Sequence, residues 1–301
     1  MQIAFDYDTA FARNLGWVTR AEQHALRGKC VAIAGLGGVG GAHLLTLARL
    51  GVGRFHLAEF DEFDLVNFNR QVGASMSSVG RPKLEVMRGM ALDINPTLEL
   101  KEFPEGVTER NIGAFLQGVD LFVDGLDFFA LAARQLTFRC CASLGIPATT
   151  VAPLGMGAAL LNFLPGRMSF DEYFGLDHCK EEERPLRFLL GLAPAALHRR
   201  YLVDPSFVDL EGKRGPSTTM ACQLCAGVAG TEALKILLKR RRVVAAPRGI
   251  HFDAYRNVLV RTWQPWGYRG PVRRMIHLIA RRQFARMKAT ESKNGAHSRG
   301  S

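Results

Sequence analysis

With 301 residues, 48% of them hydrophobic, the chain can bury a sizeable core and falls outside the polar, disordered class. No basic region precedes an apolar stretch at the N-terminus and no uncharged apolar segment reaches about 18 residues, so neither a secreted nor a membrane-spanning protein is expected. Six cysteines, two adjacent at Cys140 and Cys141, do not read as a disulfide framework and fit a reducing, cytoplasmic setting, while the +11 formal charge and pI of 9.7 come mostly from positions 265–301, where nine Lys and Arg face the single Glu291.

In chain order, residues 1–28 read as a helical segment that carries Arg13. Strand-like apolar runs then fall at 30–34, 54–59, 98–103, 119–123 and 146–151, separated by helix-like segments near 40–50, 82–93, 108–117 and 129–144. That alternation predicts an α/β fold, a doubly wound, Rossmann-like and mostly parallel sheet with helices on both faces. After Pro153 the pattern changes to an antiparallel C-terminal extension: a strand at 158–163, a Leu/Ala-rich helix around 187–197, a small-residue helix at 221–239 and a hairpin at 251–255 and 258–263. The expected organisation is therefore 1–28, a nucleotide-binding domain at 29–265, and a basic C-terminal helix at 266–301 with a disordered end from Asn294. Val272, Ile276, Ile279, Ala280, Phe284 and Met287 fall at helical spacing in that tail. Docking of this stripe on the body is preferred over a membrane-surface helix or an RNA-binding arm.

Between the first strand and its helix stand Gly35, Gly37, Gly38 and Gly40. Missing β-carbons there let backbone amides approach a phosphate at the positive end of the helix. Such a turn serves NAD, FAD and ATP alike, so alone it leaves a nicotinamide dehydrogenase as the default. Just past the second strand, Asn67, Asn69, Arg70 and Gln71 follow. Amides and a guanidinium so close together can surround a triphosphate, for which a dehydrogenase has no evident need.

Over about residues 10 to 165 the sequence resembles the ThiF/MoeB/HesA group, the bacterial relatives of ubiquitin-activating enzymes. The motifs stand in the family's order: Arg13, the glycine turn, Gly51 and Gly53, a strand ending at Glu59 and Asp61, then Asn67 to Gln71, Gly80 to Lys83, Asn95 with Pro96, and Val123 to Asp127. Glu59 replaces the usual aspartate, and Asp127 with Phe128 replaces the usual Asp-Asn pair.

The resemblance implies an ATP- and Mg²⁺-dependent nucleotidyltransferase, an adenylyltransferase that joins a carboxylate to AMP and releases pyrophosphate. It implies that Gly35, Gly37, Gly38, Gly40, Glu59, Asp61, Asn67, Arg70 and Lys83 hold ATP, with Glu59 on the ribose and Lys83 at the α-phosphate. Asp127 would hold Mg²⁺, and Arg13 would act as an arginine finger from the second subunit of a homodimer. Arg13, Arg70, Lys83 and Asp127 are then the catalytic set. The carboxylate it implies is the C-terminus of a small ubiquitin-like or sulfur-carrier protein.

Three readings stay open: this one, a threonylcarbamoyladenosine dehydratase or cyclase acting on tRNA through the basic tail, and a dinucleotide-binding oxidoreductase or non-catalytic scaffold, which leaves Arg13, Asn67, Arg70 and Lys83 without roles. Out of their motif, Arg13, Lys83 and Glu59 would read as surface charges. Asp124 reads as a cap of the following helix, and Arg134 as an ordinary surface or ion-pair residue. Many relatives hold structural zinc with two Cys-x-x-Cys pairs; this chain has one, Cys222 with Cys225, so zinc is not expected and the two read as small buried residues. Cys179 is the cysteine placed where a loop could present a thiol to an acyl group, although a bystander is the plainer reading.

Overall fold

The computed structural model describes residues 4–210 and 212–280. Its centre is an eight-stranded sheet of order β3-β2-β1-β4-β5-β6-β7-β8. The strands are β1 (Cys30–Ala34), β2 (Arg54–Ala58), β3 (Glu99–Phe103), β4 (Leu121–Asp124), β5 (Ala148–Leu154), β6 (Gly157–Phe163), β7 (Arg248–Asp253) and β8 (Val258–Trp263). The first five run parallel and the last three antiparallel. This is the mixed α/β sheet the sequence predicts. Registers such as Ala34↔Asp124, Leu154↔Gly157 and Asp253↔Val258 bring the ends of β1, β4, β5 and β7 and the starts of β6 and β8 to one edge.

The helices in chain order are α1 (Tyr7–Ala10), α2 (Arg20–Arg27), α3 (Gly38–Leu50), α4 (Lys83–Ile94), α5 (Ile112–Leu116), α6 (Leu131–Leu144), α7 (Phe170–Phe174), α8 (Arg184–Leu192) and α9 (Thr219–Leu237). Alternation along the buried strands sends Val31 and Ile33 to one face, where α3, α4 and α9 pack. It sends Ala32, Ala34 and Phe122 to the other, which is covered by the aromatic residues of α5 to α8. Small residues on α9 let it lie close to α3; a β-carbon on Gly230 would stand 2.9 Å from Thr46. Although α9 is long and apolar enough to cross a membrane, it packs on α3, β5 and β6. Its buried Glu232 accepts from Asn162 Nδ2 at 3.0 Å, and Asn162 Oδ1 accepts from Thr149, so polar bonds fix the helix to the β5–β6 pair.

The N-terminal segment is stapled to the end of α3. Tyr7 donates to the Gly51 carbonyl at 2.6 Å, Gln23 Nε2 to Leu50 at 3.0 Å, and Asn14 Nδ2 to Leu50 at 3.3 Å.

Two sequence expectations need correction. The helix expected around 187–197 runs over Arg184–Leu192: Pro185 suits a first turn, and Ala193, preceding Pro194, is barred from continuing the helix. The tail is helical over 271–280 and docks as expected, but through only part of the predicted stripe, Ile276 and Ala280, joined by Arg273. Arg273 and Ala280 are buried, with Ile276 and His277 half-buried, while Val272 and Ile279 lie exposed. Aromatic partners on α7 draw the guanidinium inward. Phe284, Met287 and the expected disordered end lie outside the described residues.

Candidate active site

The glycine turn is built by backbone contact. Gly35 has φ +82, and a β-carbon on it would fall 2.2 Å from the Gly125 carbonyl oxygen. One on Gly40 would fall 1.7 Å from the Gly35 oxygen, and one on Gly125 would fall 2.7 Å from the Gly40 Cα. Turn and β4–α6 loop therefore touch main chain to main chain, and only glycine allows it. Gly37 caps α3 without a side chain, which leaves the first amides of that helix available to an anion.

Around this turn stand most of the predicted ligands. Glu59 is buried at the end of β2: Oε2 accepts from the Leu36 amide at 2.7 Å, and Oε1 from Phe60 and Asp61 at 2.9 and 3.0 Å. Its extra methylene, compared with aspartate, lets one carboxylate tie the glycine turn to the strand end. Lys83, buried at the start of α4, places Nζ 3.2 Å from Asp61 Oδ2, and its amide donates to the Asp61 carbonyl. Asn67 is buried and accepts from the Asp64 amide, closing the 3₁₀ turn Leu65–Asn67. Arg70 Nη1 donates to Val66 O and Asn69 Oδ1, and the Arg70 stem lies 3.6 Å from where a Gly38 β-carbon would be.

Asp127 is exposed on the β4–α6 loop; its Oδ1 accepts from the Phe129 amide at 2.9 Å. Asp124 does not cap the next helix. It is buried in an ion pair with Arg134, which is itself buried rather than on the surface. The reason is local: Arg134 Nη2 donates to the Leu126 and Asp127 carbonyls, and its guanidinium packs over the Phe188 ring.

Arg13 sits apart. It is exposed on the 3₁₀ turn Ala12–Asn14, beside Asn14, which binds the last carbonyls of α3. Thirteen residues of helix separate that end from the glycine turn, about 20 Å, more than an arginine side chain spans. Arg13 is thus not brought to the turn by its own chain.

Sequence reading gave no separate role to three neighbours. Gln71 is buried beside Gly37, and its Oε1 has no hydrogen-bond partner. Cys222 Sγ comes within 3.1 Å of a β-carbon placed on Gly38. Gly125, following Asp124, was a readable sign of close backbone approach. Burial raises the Cys222 thiol and pushes Cys225 well above its ordinary value. Cys179 is half-buried; its thiol donates to the Leu176 carbonyl and is raised by burial, the opposite of an activated nucleophile. Among the described residues no group of three or more His, Cys, Asp or Glu is placed to hold a metal.

A model of the ThiF family matches residues 11–267. The chain belongs to the ThiF family. It is 37% identical over 118 residues to a Bacillus subtilis tRNA threonylcarbamoyladenosine dehydratase, covering 39% of this chain and 46% of that protein. It is 35% identical over 138 residues to an Escherichia coli molybdopterin-synthase adenylyltransferase, covering 46% and 52%. The chain thus spans about half the length of these curated relatives. The crystal structure of E. coli MccB with ATP superposes with a TM-score of 0.63 at 19% identity, covering 90% of this ThiF-family chain and 75% of MccB, a likeness of fold.

Proposed function

We propose that this protein is an ATP-dependent adenylyltransferase that activates a carboxylate. The observation that supports the reading is the main-chain contact of Gly35 and Gly40 with Gly125, which joins the glycine turn, with its open α3 amides, to the loop on which Asp127 is exposed. Arg70, Lys83 and Gln71 border the same turn or the adjacent strand end. A carboxylate oxygen of the substrate attacks the α-phosphorus, the bond to the β-phosphate oxygen breaks, and pyrophosphate leaves. Glu59 and Asp61 orient the nucleotide, Asn67 and Arg70 contact phosphate, and Lys83 offsets charge on the α-phosphate.

Asp127 suits Mg²⁺: the ion takes one or two carboxylates and fills its remaining positions with phosphate oxygens and water. When bound it would neutralise charge on the departing pyrophosphate. The position of Arg13, remote from its own glycine turn, supports its action as an arginine finger in a homodimer. The substrate we favour is the C-terminus of a ubiquitin-like or sulfur-carrier protein, met in the cytoplasm. This follows from the relatives, whose names include the E. coli sulfur carrier protein ThiS adenylyltransferase. A second reading, threonylcarbamoyladenosine dehydration on tRNA, is favoured by the similarity to the B. subtilis protein of that name.

ATP–pyrophosphate exchange with candidate carboxylates tests the proposal. Exchange should require Mg²⁺ and vanish in Asp127→Ala with the fold intact, because Asp127 is exposed and contributes little to packing. Near-normal exchange by that folded variant removes Asp127 from the metal role, and NAD binding without any exchange overturns the reading.

A further inference from the structure

Away from the glycine turn, the segment over 175–191 and the helix over 271–280 enclose a cleft of about 350 Å³, lined by His178, Arg187, Tyr268, Arg269 and Arg274. It adjoins a second of about 450 Å³ that shares Arg187, Tyr268 and Arg274 and reaches Arg273 and His277. Four arginines converge here. Of the nearby acids, Asp177 pairs with Arg139 and Arg184, Glu181 with Arg184, and Glu183, which lines the second cleft, with His277, while Glu172, bonded to Ser169, lies near Arg269 at the rim. Neither Arg187 nor Arg273 makes an ion pair among the described residues.

Arg273 is buried, Arg187 half-buried, and both are incompletely used. Arg273 is 5% exposed and lies against the rings of Tyr173 and Phe174, at 4.9 and 5.6 Å. Its Nη1 donates to the Tyr173 carbonyl, whereas Nη2 has no partner. Burial lowers Arg273 to about 10, which still leaves it charged near neutrality. Arg187 Nη1 donates to the Gly175 carbonyl at 2.9 Å, and its Nε is buried without a partner. A buried guanidinium without a counter-anion is costly, and a bound oxyanion would offset that cost.

The site is also shaped for these groups. A β-carbon on Gly191 would stand 2.2 Å from Arg273 Nη2, and one on Gly175 would stand 2.2 Å from the Tyr268 ring. Both glycines make room for a wall residue. Tyr268 stacks on His178 with centroids 4.8 Å apart and planes at 12°, and carries Arg187 and Arg269 over its ring at 5.8 and 5.4 Å.

We propose that this cleft binds a phosphate group at a site separate from the nucleotide turn, with Arg187 and Arg273 as inner donors and Arg269 and Arg274 at the rim. Guanidinium forks match the oxygens of a phosphate, and several arginines suit a dianion better than a single carboxylate. The phosphate is either free or carried on a polynucleotide.

The test is thermal unfolding of the full chain in inorganic phosphate against chloride at matched ionic strength. Phosphate should raise the Tm of the unsubstituted protein and of Arg70→Ala alike, since Arg70 belongs to the nucleotide turn. Arg274→Gln, an exposed change that leaves the fold in place, should lose half or more of that shift, and Arg187→Gln should lose it as well. An undiminished shift in Arg274→Gln, a shift abolished by Arg70→Ala alone, or no shift in the unsubstituted protein overturns the site. Mixed tRNA then separates the sources: phosphate-competed binding weakened by Arg274→Gln marks a polynucleotide ligand, and binding indifferent to both marks a free one.

Discussion

Arg134 Nε stands 2.8 Å from Asp124 Oδ2, in an ion pair whose two side chains are 4% and 2% exposed. The same guanidinium holds the carbonyls of Leu126, Asp127 and Phe128, so one side chain laces the loop that carries Asp127. On the proposed function, in which Asp127 holds Mg²⁺, Arg134 is a positioning residue.

Breaking this pair should be expensive. Arg134→Met leaves Asp124 buried and unpaired, and urea unfolding should register a loss of about 3–5 kcal/mol. Adding Asp124→Leu should restore much of that stability but not the exchange activity, because the carbonyls of the Asp127 loop remain untied. If the double variant exchanges normally, Arg134 serves stability alone. The Mg²⁺ concentration needed for half-maximal exchange should rise in Arg134→Lys, a change that a purely structural role would not produce.

Arg13 allows a complementation experiment. Inactive Arg13→Ala chains mixed with inactive Lys83→Ala chains should regain part of the exchange activity, since one of the two mixed sites then carries both residues. Demonstrated heterodimers without rescue would place Arg13 outside the reaction.

His43 on α3 gives a pH signature. It is fully buried, neither ring nitrogen has a partner, and burial lowers it to about 3. The unfolded chain takes up a proton at this residue as pH falls below about 6.5 while the folded chain does not, so stability is complete above that value and declines below it. Between pH 7.5 and pH 5 His43 should cost about 2 kcal/mol of unfolding free energy. His198, lowered to about 4, and His251 add in the same direction. Urea midpoints that do not move over this range, or that move equally in His43→Leu, would dismiss the assignment.

Truncation after Gly270 removes Arg273 from its seat against Tyr173, Phe174 and Gly191, together with buried Ala280 and half-buried Ile276. The unfolding midpoint should drop by the equivalent of about 2–4 kcal/mol, as expected when packed side chains are lost. An unchanged midpoint would mean the helix over 271–280 does not contribute to the fold.

Much of this was legible beforehand. β1 ends where the apolar run ends, and α3, α4 and α6 begin within two residues of the positions read from periodicity, because apolar runs and glycine turns are local signals. The side chains clustered at the glycine turn were named from their motifs. What escaped depends on partners distant in the chain. Arg134 looks like any helical arginine until Phe188 and the β4 end enclose it, and Arg273 is drawn inside by rings a hundred residues earlier. In the described part of the tail, Ile276 and Ala280 of the predicted stripe face the body, whereas Val272 and Ile279 are exposed and Arg273 takes a buried place against two aromatic rings.

The reversal of strand direction after β5 has an evolutionary consequence. Since β6 begins, β7 ends and β8 begins on the rim where β1 and β4 end, the tight turns at Gly155–Met156 and Tyr255–Asn257 open onto the same edge as the glycine turn and the β4–α6 loop. Tyr201 already bridges these two turns, accepting from the Met156 amide and donating to Asp253. Insertions there can lengthen or recontour one half of the rim while leaving the Gly35, Gly40 and Gly125 contact undisturbed. One scaffold can therefore vary half of its rim by loop grafting while the glycine turn is inherited intact.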